Sequence, residues 1–388
     1  MPGLKRRMAK IRVMLACNLL DLGGTEKAIQ IFAKYLDKSR FEVFACGRLR
    51  GGVRVAEIEK MGIPVILQPP DITKLVRELK IDIYHVHRAG RYEPGSLPDR
   101  CSGWPRVVET NVFNDCDEIE NDLIDCHLFV SNFCLRRYVG RHRTDNGASY
   151  QVLHNPVDFE EVLSAPRNFT ATFGQCARPD EAKWDRVLLQ SLPKIFRRVP
   201  QARAVYQGAT DRFKEGLNRL GVQERVAVPE ACLAVGDFYR RLDLLTHASR
   251  TGETFGLVIA EAMANGLPVV TLSRPQRKKA NGHLELVEDN MTGFVCRYRW
   301  QYADAVIEVL QNSALRSKFG QSGQEKARER FDARLLTAKL ETLYLDLMEK
   351  PPLVTDDSQM SPKRKVMGGS IARFAASLAR RRVRHGED

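Results

Sequence analysis

Hydrophobic positions in this chain fall into short runs that alternate with segments of helical spacing. Ile11 to Cys17 is a run of strand length, apolar apart from Arg12. After a loop from Asn18 to Glu26, the positions Ala28, Ile29, Phe32, Ala33 and Leu36 return at helical intervals. Runs that are largely apolar suit strands buried on both faces of a parallel sheet, and the i, i+3, i+4 spacing suits the helices that cover it. The alternation continues with strands predicted at 41–46, 64–67 and 81–87, and helices at 53–60 and 72–79. It resumes at Thr170 to Gly174, followed by a helix with Val187, Leu188, Leu192 and Ile195 on one face. Further strands at 202–208 and 225–229 flank a helix at 213–220, and helices at 303–310, 313–331 and 332–350 follow, the last stopped by Pro351 and Pro352. Strands alternating with helices at short intervals predict an α/β protein with doubly wound parallel sheets.

The most informative stretch is Thr251 to Thr271, TGETFGLVIAEAMANGLPVVT. It reads as a loop, a helix, a stop at Gly266 and a buried strand through Val269 and Val270. If the helix starts near Phe255 or Gly256, its first N–H groups favour an anion, most naturally a phosphate, facing whatever Glu253 faces. Glu261 reaches the same cleft from the side. By spacing alone, a solvated helix with two surface glutamates fits as well.

Other candidates carry the same ambiguity. Gly23 and Gly24 let a ligand approach the backbone at a helix start, or form a plain tight turn. Arg178 and Lys183 bracket a loop at the C-terminal edge of a strand, as phosphate binders or as solvated cations. His85 and His87 share a strand face, as a metal pair or as buried imidazoles. Asp115-Cys-Asp117 is a D-x-D that could hold a divalent ion.

Composition narrows the class. The 388 residues suffice for two domains, and 43% hydrophobic with 28% charged residues is ordinary for a globular protein. No apolar run approaches the roughly 20 residues of a membrane-spanning helix, and the basic N-terminus leads into a strand rather than a signal peptide. Nine cysteines with no C-x-x-C pair suit reduced thiols in a cytoplasmic protein. The net charge of +13 leaves nucleic acid, anionic membrane or a phosphorylated substrate as partners. No nucleic-acid-binding signature accompanies it, so nucleic acid is not expected. A basic insertion, Arg274 to Lys279, and a basic tail add to the charge. In the tail, Ile371, Phe374, Ala375 and Leu378 form a narrow apolar stripe among arginines, suited to an anionic lipid surface or to a disordered tail.

The 251–271 stretch meets every fixed position of E-x-F-G-x4-E-A-M-A-x-G-x-P-V-V and so resembles the signature of retaining GT-B glycosyltransferases, family 4 (glycosyl transferases group 1). Weaker matches follow in order. Gly23-Gly-Thr-Glu26 resembles the family's G-G-x-E, Asp82 to His87 its D-x-x-H-x-H, and Asn155-Pro-Val-Asp158 the passage to its second domain. Arg178 and Lys183 keep the separation of the family's R…K pair, although Gln175 and Trp184 depart from the surrounding pattern and Asn281 replaces a later glycine.

The resemblance covers about residues 11–350 and implies two Rossmann-like domains facing across a cleft. They are expected at 1–158 for the acceptor and 169–331 for a nucleotide sugar, with a linker at 159–168. A helix at 332–350 would cross back, and a basic tail would fill 351–388. It implies retaining, metal-independent transfer of a hexose-type sugar to a glycan, lipid-linked or small-molecule acceptor, with no cofactor beyond the donor. Glu253 and His87 would act at the sugar. Arg178, Lys183, Phe255, Gly256 and Leu257 would hold the donor phosphates, Glu261 the ribose, and Gly23 and Gly24 would form the acceptor and phosphate loop. The implied location is cytoplasmic, with the tail a candidate contact to the inner face of a membrane. A GT-B sugar-nucleotide epimerase, a metal-dependent transferase using Asp115 and Asp117, and a catalytically degenerate basic binding protein are the alternatives.

Overall fold

The computed structural model describes residues 9–100, 103–142, 144, 146–162, 168–233, 235–273 and 280–351. The basic insertion at 274–279, linker residues 163–167 and the tail from 352 onwards lie outside the described residues.

Two parallel sheets carry the fold. The first contains β1 (Ile11–Leu19), β2 (Phe41–Arg50), β3 (Val65–Leu67), β4 (Ile83–Arg88), β5 (Arg106–Asn111), β6 (Cys126–Phe129) and β7 (Ser149–Val152), in the order β3-β2-β1-β4-β5-β6-β7. The second begins with β8 (Thr172–Cys176), β9 (Arg203–Gln207), β10 (Val226–Ala227) and β11 (Leu244–His247). A short strand β12 (Gly252–Glu253) leaves this sheet, β13 (Val269–Leu272) rejoins it, β14 (Ala280–Asn281) pairs with β12, and β15 (Gly293–Cys296) completes the edge. Its order is β10-β9-β8-β11-β13-β15. β4, β5, β8, β11 and β13 are buried along their whole length, as strands covered on both faces must be.

One boundary differs from the sequence reading. β1 runs on to Leu19, which pairs with Arg50 after a register shift, and the first helix already begins at Gly24. The glycine loop is therefore shorter than the pattern suggested, and Glu26 and Lys27 sit in the helix's first turn.

Strand order reverses between β1 and β4 in one sheet and between β8 and β11 in the other. Such switch points open a crevice at the strands' C-terminal ends. The loops after β1 and β8 carry Gly23–Gly24 and Arg178–Lys183, so topology alone brings those two pairs to facing crevices. A shared apolar cluster joins the two halves, with Phe129, Val130 and Tyr138 of the first meeting Phe255, Leu257 and Val287 of the second. The final helix, Ala333–Glu349, returns to the first sheet, where Leu336, Leu340, Tyr344 and Leu347 pack with Val13, Leu15 and Val108.

Candidate active site

The two crevices form one cavity of about 210 Å³. The first half contributes Gly23, Gly24, Lys27, Arg54, Val112 and Phe113; the second contributes Arg178, Lys183, His247, Glu253, Glu261 and the turn Phe255–Val258.

The signature helix spans Leu257–Ala264 and starts on Gly256, whose φ of 99° is a conformation that only glycine adopts without strain. Its N-terminal turn opens into the cavity, which gives the floor a partial positive charge. Leu257, Ile259, Ala260, Met263 and Ala264 are all buried, so the helix is fixed on every side. A Cβ on Gly24 would lie 3.6 Å from Leu257, so the glycine loop passes directly over the start of this helix.

Neither glutamate is a solvated surface group. Glu261 is 6% exposed; Tyr239 Oη donates to its Oε2 at 2.6 Å, and Lys27 Nζ of the first half lies 2.6 Å from its Oε1. Lys27 also reaches Glu161 at 3.1 Å. Burial would lower the Lys27 pKa, but the two carboxylates outweigh it and hold the ammonium above its usual range. Glu253 accepts from Lys183 Nζ at 2.9 and 2.8 Å through its two oxygens, and His247 Nε2 stands 3.4 Å from Oε1. Burial would raise its pKa, yet Lys183 and then His247 outweigh that and hold it below the usual carboxylate range.

The departures around the Arg178–Lys183 loop have partners of their own. Trp184 is buried against Tyr206 and Phe213, and its Nε1 donates to the Arg178 carbonyl at 3.1 Å. Gln175 accepts from Ala248 N–H and donates to the Lys183 carbonyl, both at 2.8 Å, tying the loop to β11. Asn281 pairs in register with Glu253 through β14 and β12. Arg178 itself is exposed and contributes its charge to the electrostatics of Glu26, across the cavity.

His87 is not brought to this constellation. It lies on β4 in register with Cys17 and is 3% exposed. It stacks on His85 at 4.5 Å, and neither ring nitrogen has a hydrogen-bond partner among the described residues. Burial pushes its pKa down to about 3, so the ring is neutral, and it is absent from the cavity lining. Asp117 of the D-x-D is fully engaged elsewhere: Oδ2 takes Arg88 at 2.9 Å and Oδ1 takes the N–H groups of Ile119 and Glu120. Sequence reasoning missed Lys27, Arg54, Tyr239 and His247, which belong to no motif that points at the cavity.

Residues 172–326 match the sequence model of the family Glycosyl transferases group 1. Phosphatidyl-myo-inositol mannosyltransferase of Mycobacterium tuberculosis is 29% identical over 213 residues, 51% of this chain and 54% of the relative, so the match spans about half the relative's length. Among solved structures, a glycosyltransferase from Rickettsia africae superposes with a TM-score of 0.71 at 17% identity, covering 88% of this chain and 99% of that one. Anabaena HepE, solved with UDP and glucose, does so with a TM-score of 0.69 at 19% identity, covering 87% and 100%. At these identities the structural likeness establishes the fold. The signature helix lies within the stretch that matches the glycosyl transferases group 1 model, and the paired parallel sheets with their structural likeness show that the chain has the GT-B fold.

Proposed function

We propose that the protein is a retaining, metal-independent glycosyltransferase that moves a hexose-type sugar from a nucleotide-sugar donor to an acceptor carrying a hydroxyl. The observation that carries this reading is the cavity itself. A helix start, Lys183 and Arg178 supply positive charge beside a largely buried, ionised Glu253. As the glycosidic bond breaks, charge builds on the leaving diphosphate, and preorganised donors aimed at that charge are the main source of acceleration. Backbone N–H groups at Leu257 and Val258, with Lys183 and Arg178, would meet the phosphates. Glu253 would accept from the sugar's hydroxyls and fix its orientation. Glu261 would accept from the ribose with the lone pairs that Tyr239 and Lys27 leave open.

The acceptor would enter from the side of Gly23, Gly24 and Phe113. The named activity of the mycobacterial relative, mannosyl transfer to phosphatidyl-myo-inositol, makes a lipid-linked or cyclitol acceptor the first class to try. Among the described residues no helix is long and apolar enough to cross a membrane, so such an acceptor would be met peripherally.

The test is a panel of sugar nucleotides with purified protein, read by thermal shift and slow donor hydrolysis, with and without chelator. One donor should raise Tm without added metal, and both Glu253→Gln and Lys183→Ala should abolish turnover. A response that appears only with a divalent ion would overturn the metal-independent mechanism.

A further inference from the structure

Lys183 has two claims on it. In this arrangement its ammonium holds both oxygens of Glu253, at 2.9 and 2.8 Å. A donor diphosphate above the start of the signature helix would draw the same point charge. The Lys183 side chain is 27% exposed and can turn; the Glu253 side chain is 13% exposed, on a short strand paired to β14, and cannot follow it. Once Lys183 leaves, a largely buried carboxylate would lose its counter-charge, which buried charges do not tolerate without a substitute.

A substitute is already in place. His247 ends β11, and its side chain is 5% exposed. Its Nε2 is 3.4 Å from the same Oε1 that Lys183 holds. The charged and titratable groups around it include Glu253 on β12, Lys183 on the 181–183 turn, which holds the same carboxylate, and His283, whose ring centroid is 6.5 Å away on the 282–285 turn. We propose that His247 is a positioning residue for Glu253, taking over its carboxylate as Lys183 turns to the diphosphate of the donor. The inference rests on the donor-site reading above. The exchange draws a fraction of a proton from solvent onto His247 as the phosphate binds; no covalent bond to substrate forms or breaks in this step.

Inorganic pyrophosphate without metal is the probe, because it presents the diphosphate and leaves the sugar and base open. The His247 imidazole resonance, identified by its loss in His247→Asn, is followed against pH. Pyrophosphate should raise its pKa by about one unit, and Lys183→Met should do the same without ligand. Glu253→Gln should remove both effects. Calorimetry in two buffers of different ionisation enthalpy should show proton uptake on pyrophosphate binding near pH 7, absent in His247→Asn. Pyrophosphate that binds with no movement of the His247 resonance overturns the inference and leaves the diphosphate site standing. If pyrophosphate does not bind, the donor reading is what fails. In that case an unshifted His247 in folded Lys183→Met overturns the exchange independently.

Discussion

The ammonium of Lys27, on the first helix of one domain, lies 2.6 Å from the carboxylate of Glu261 on the signature helix of the other. Both side chains are about nine-tenths buried, so this ion pair bridges the domains at the back of the cavity and largely out of water. Glu261 is thereby bound before any nucleotide arrives, oriented by Tyr239 on one oxygen and Lys27 on the other.

That bridge predicts strong coupling. Lys27→Met strands a buried carboxylate and should cost about 3 kcal/mol in denaturant unfolding, within the range for breaking one side of a buried pair. Adding Glu261→Gln removes the stranded charge, so the double variant should be more stable than Lys27→Met alone. Strict additivity of the two changes would show that the contact carries no coupling energy.

A second clasp between the domains gives a pH prediction. Glu285 of the second domain accepts from the backbone N–H groups of Asn132 and Phe133 at 2.9 and 2.5 Å, at the start of the helix Asn132–Val139. Burial would raise its pKa, but His154 and these N–H groups outweigh it and pull it down from 4.5 to about 2. A carboxylate with a depressed folded pKa stabilises the fold fully above its unfolded value and loses that contribution as pH falls towards the folded one. Glu285→Gln should therefore lower Tm by a constant amount above about pH 5, and the gap to wild type should close between about pH 4.5 and 2. A gap that is flat down to pH 2 would remove Glu285 from the account of acid stability.

His87 yields a third. It is a buried neutral imidazole with no hydrogen-bond partner for either nitrogen among the described residues, and replacing such a group by an apolar one of similar size is close to neutral or stabilising. His87→Leu should leave Tm unchanged or higher and leave donor-induced thermal shifts intact. An intact fold with a hundredfold loss of turnover would place His87 at the donor sugar after all.

The sequence reading reached far into the fold because parallel strands covered on both faces must be largely apolar, as Val13 to Cys17 and, apart from Thr271, Val269 to Leu272 are. It reached the second half of the cavity because Glu253, Gly256 and Glu261 come within nine residues of one another and share a local geometry. It could not see partners that topology delivers. Lys27 meets Glu261 across 234 positions, and nothing near either one names the other. The D-x-D, open in the sequence only as an alternative metal site, is the converse case: Asp117 is held by Arg88, 29 residues earlier. Trp184 and Gln175 broke the expected pattern, and each carries a hydrogen bond that holds the loop in its place.

The corner that aims Glu253 depends on two close backbone approaches. A Cβ on Gly252 would stand 1.8 Å from the carbonyl oxygen of Ala280, and one on Gly282 would stand 1.8 Å from that of Thr254. Gly252 also has φ +75°, so an alanine there meets left-handed strain as well as a collision with β14. Gly62 separates the two effects, since its φ is +72° and nothing lies within 4 Å of a Cβ built on it. Gly62→Ala should cost only the conformational strain, about 1 kcal/mol, with donor-induced thermal shifts unchanged. Gly252→Ala should cost clearly more, because β12 must part from β14, and it should abolish the donor response by turning Glu253 away. Equal losses in the two variants would mean that the β12–β14 contact yields freely, and that Glu253 is aimed by Lys183 and His247 rather than by its strand.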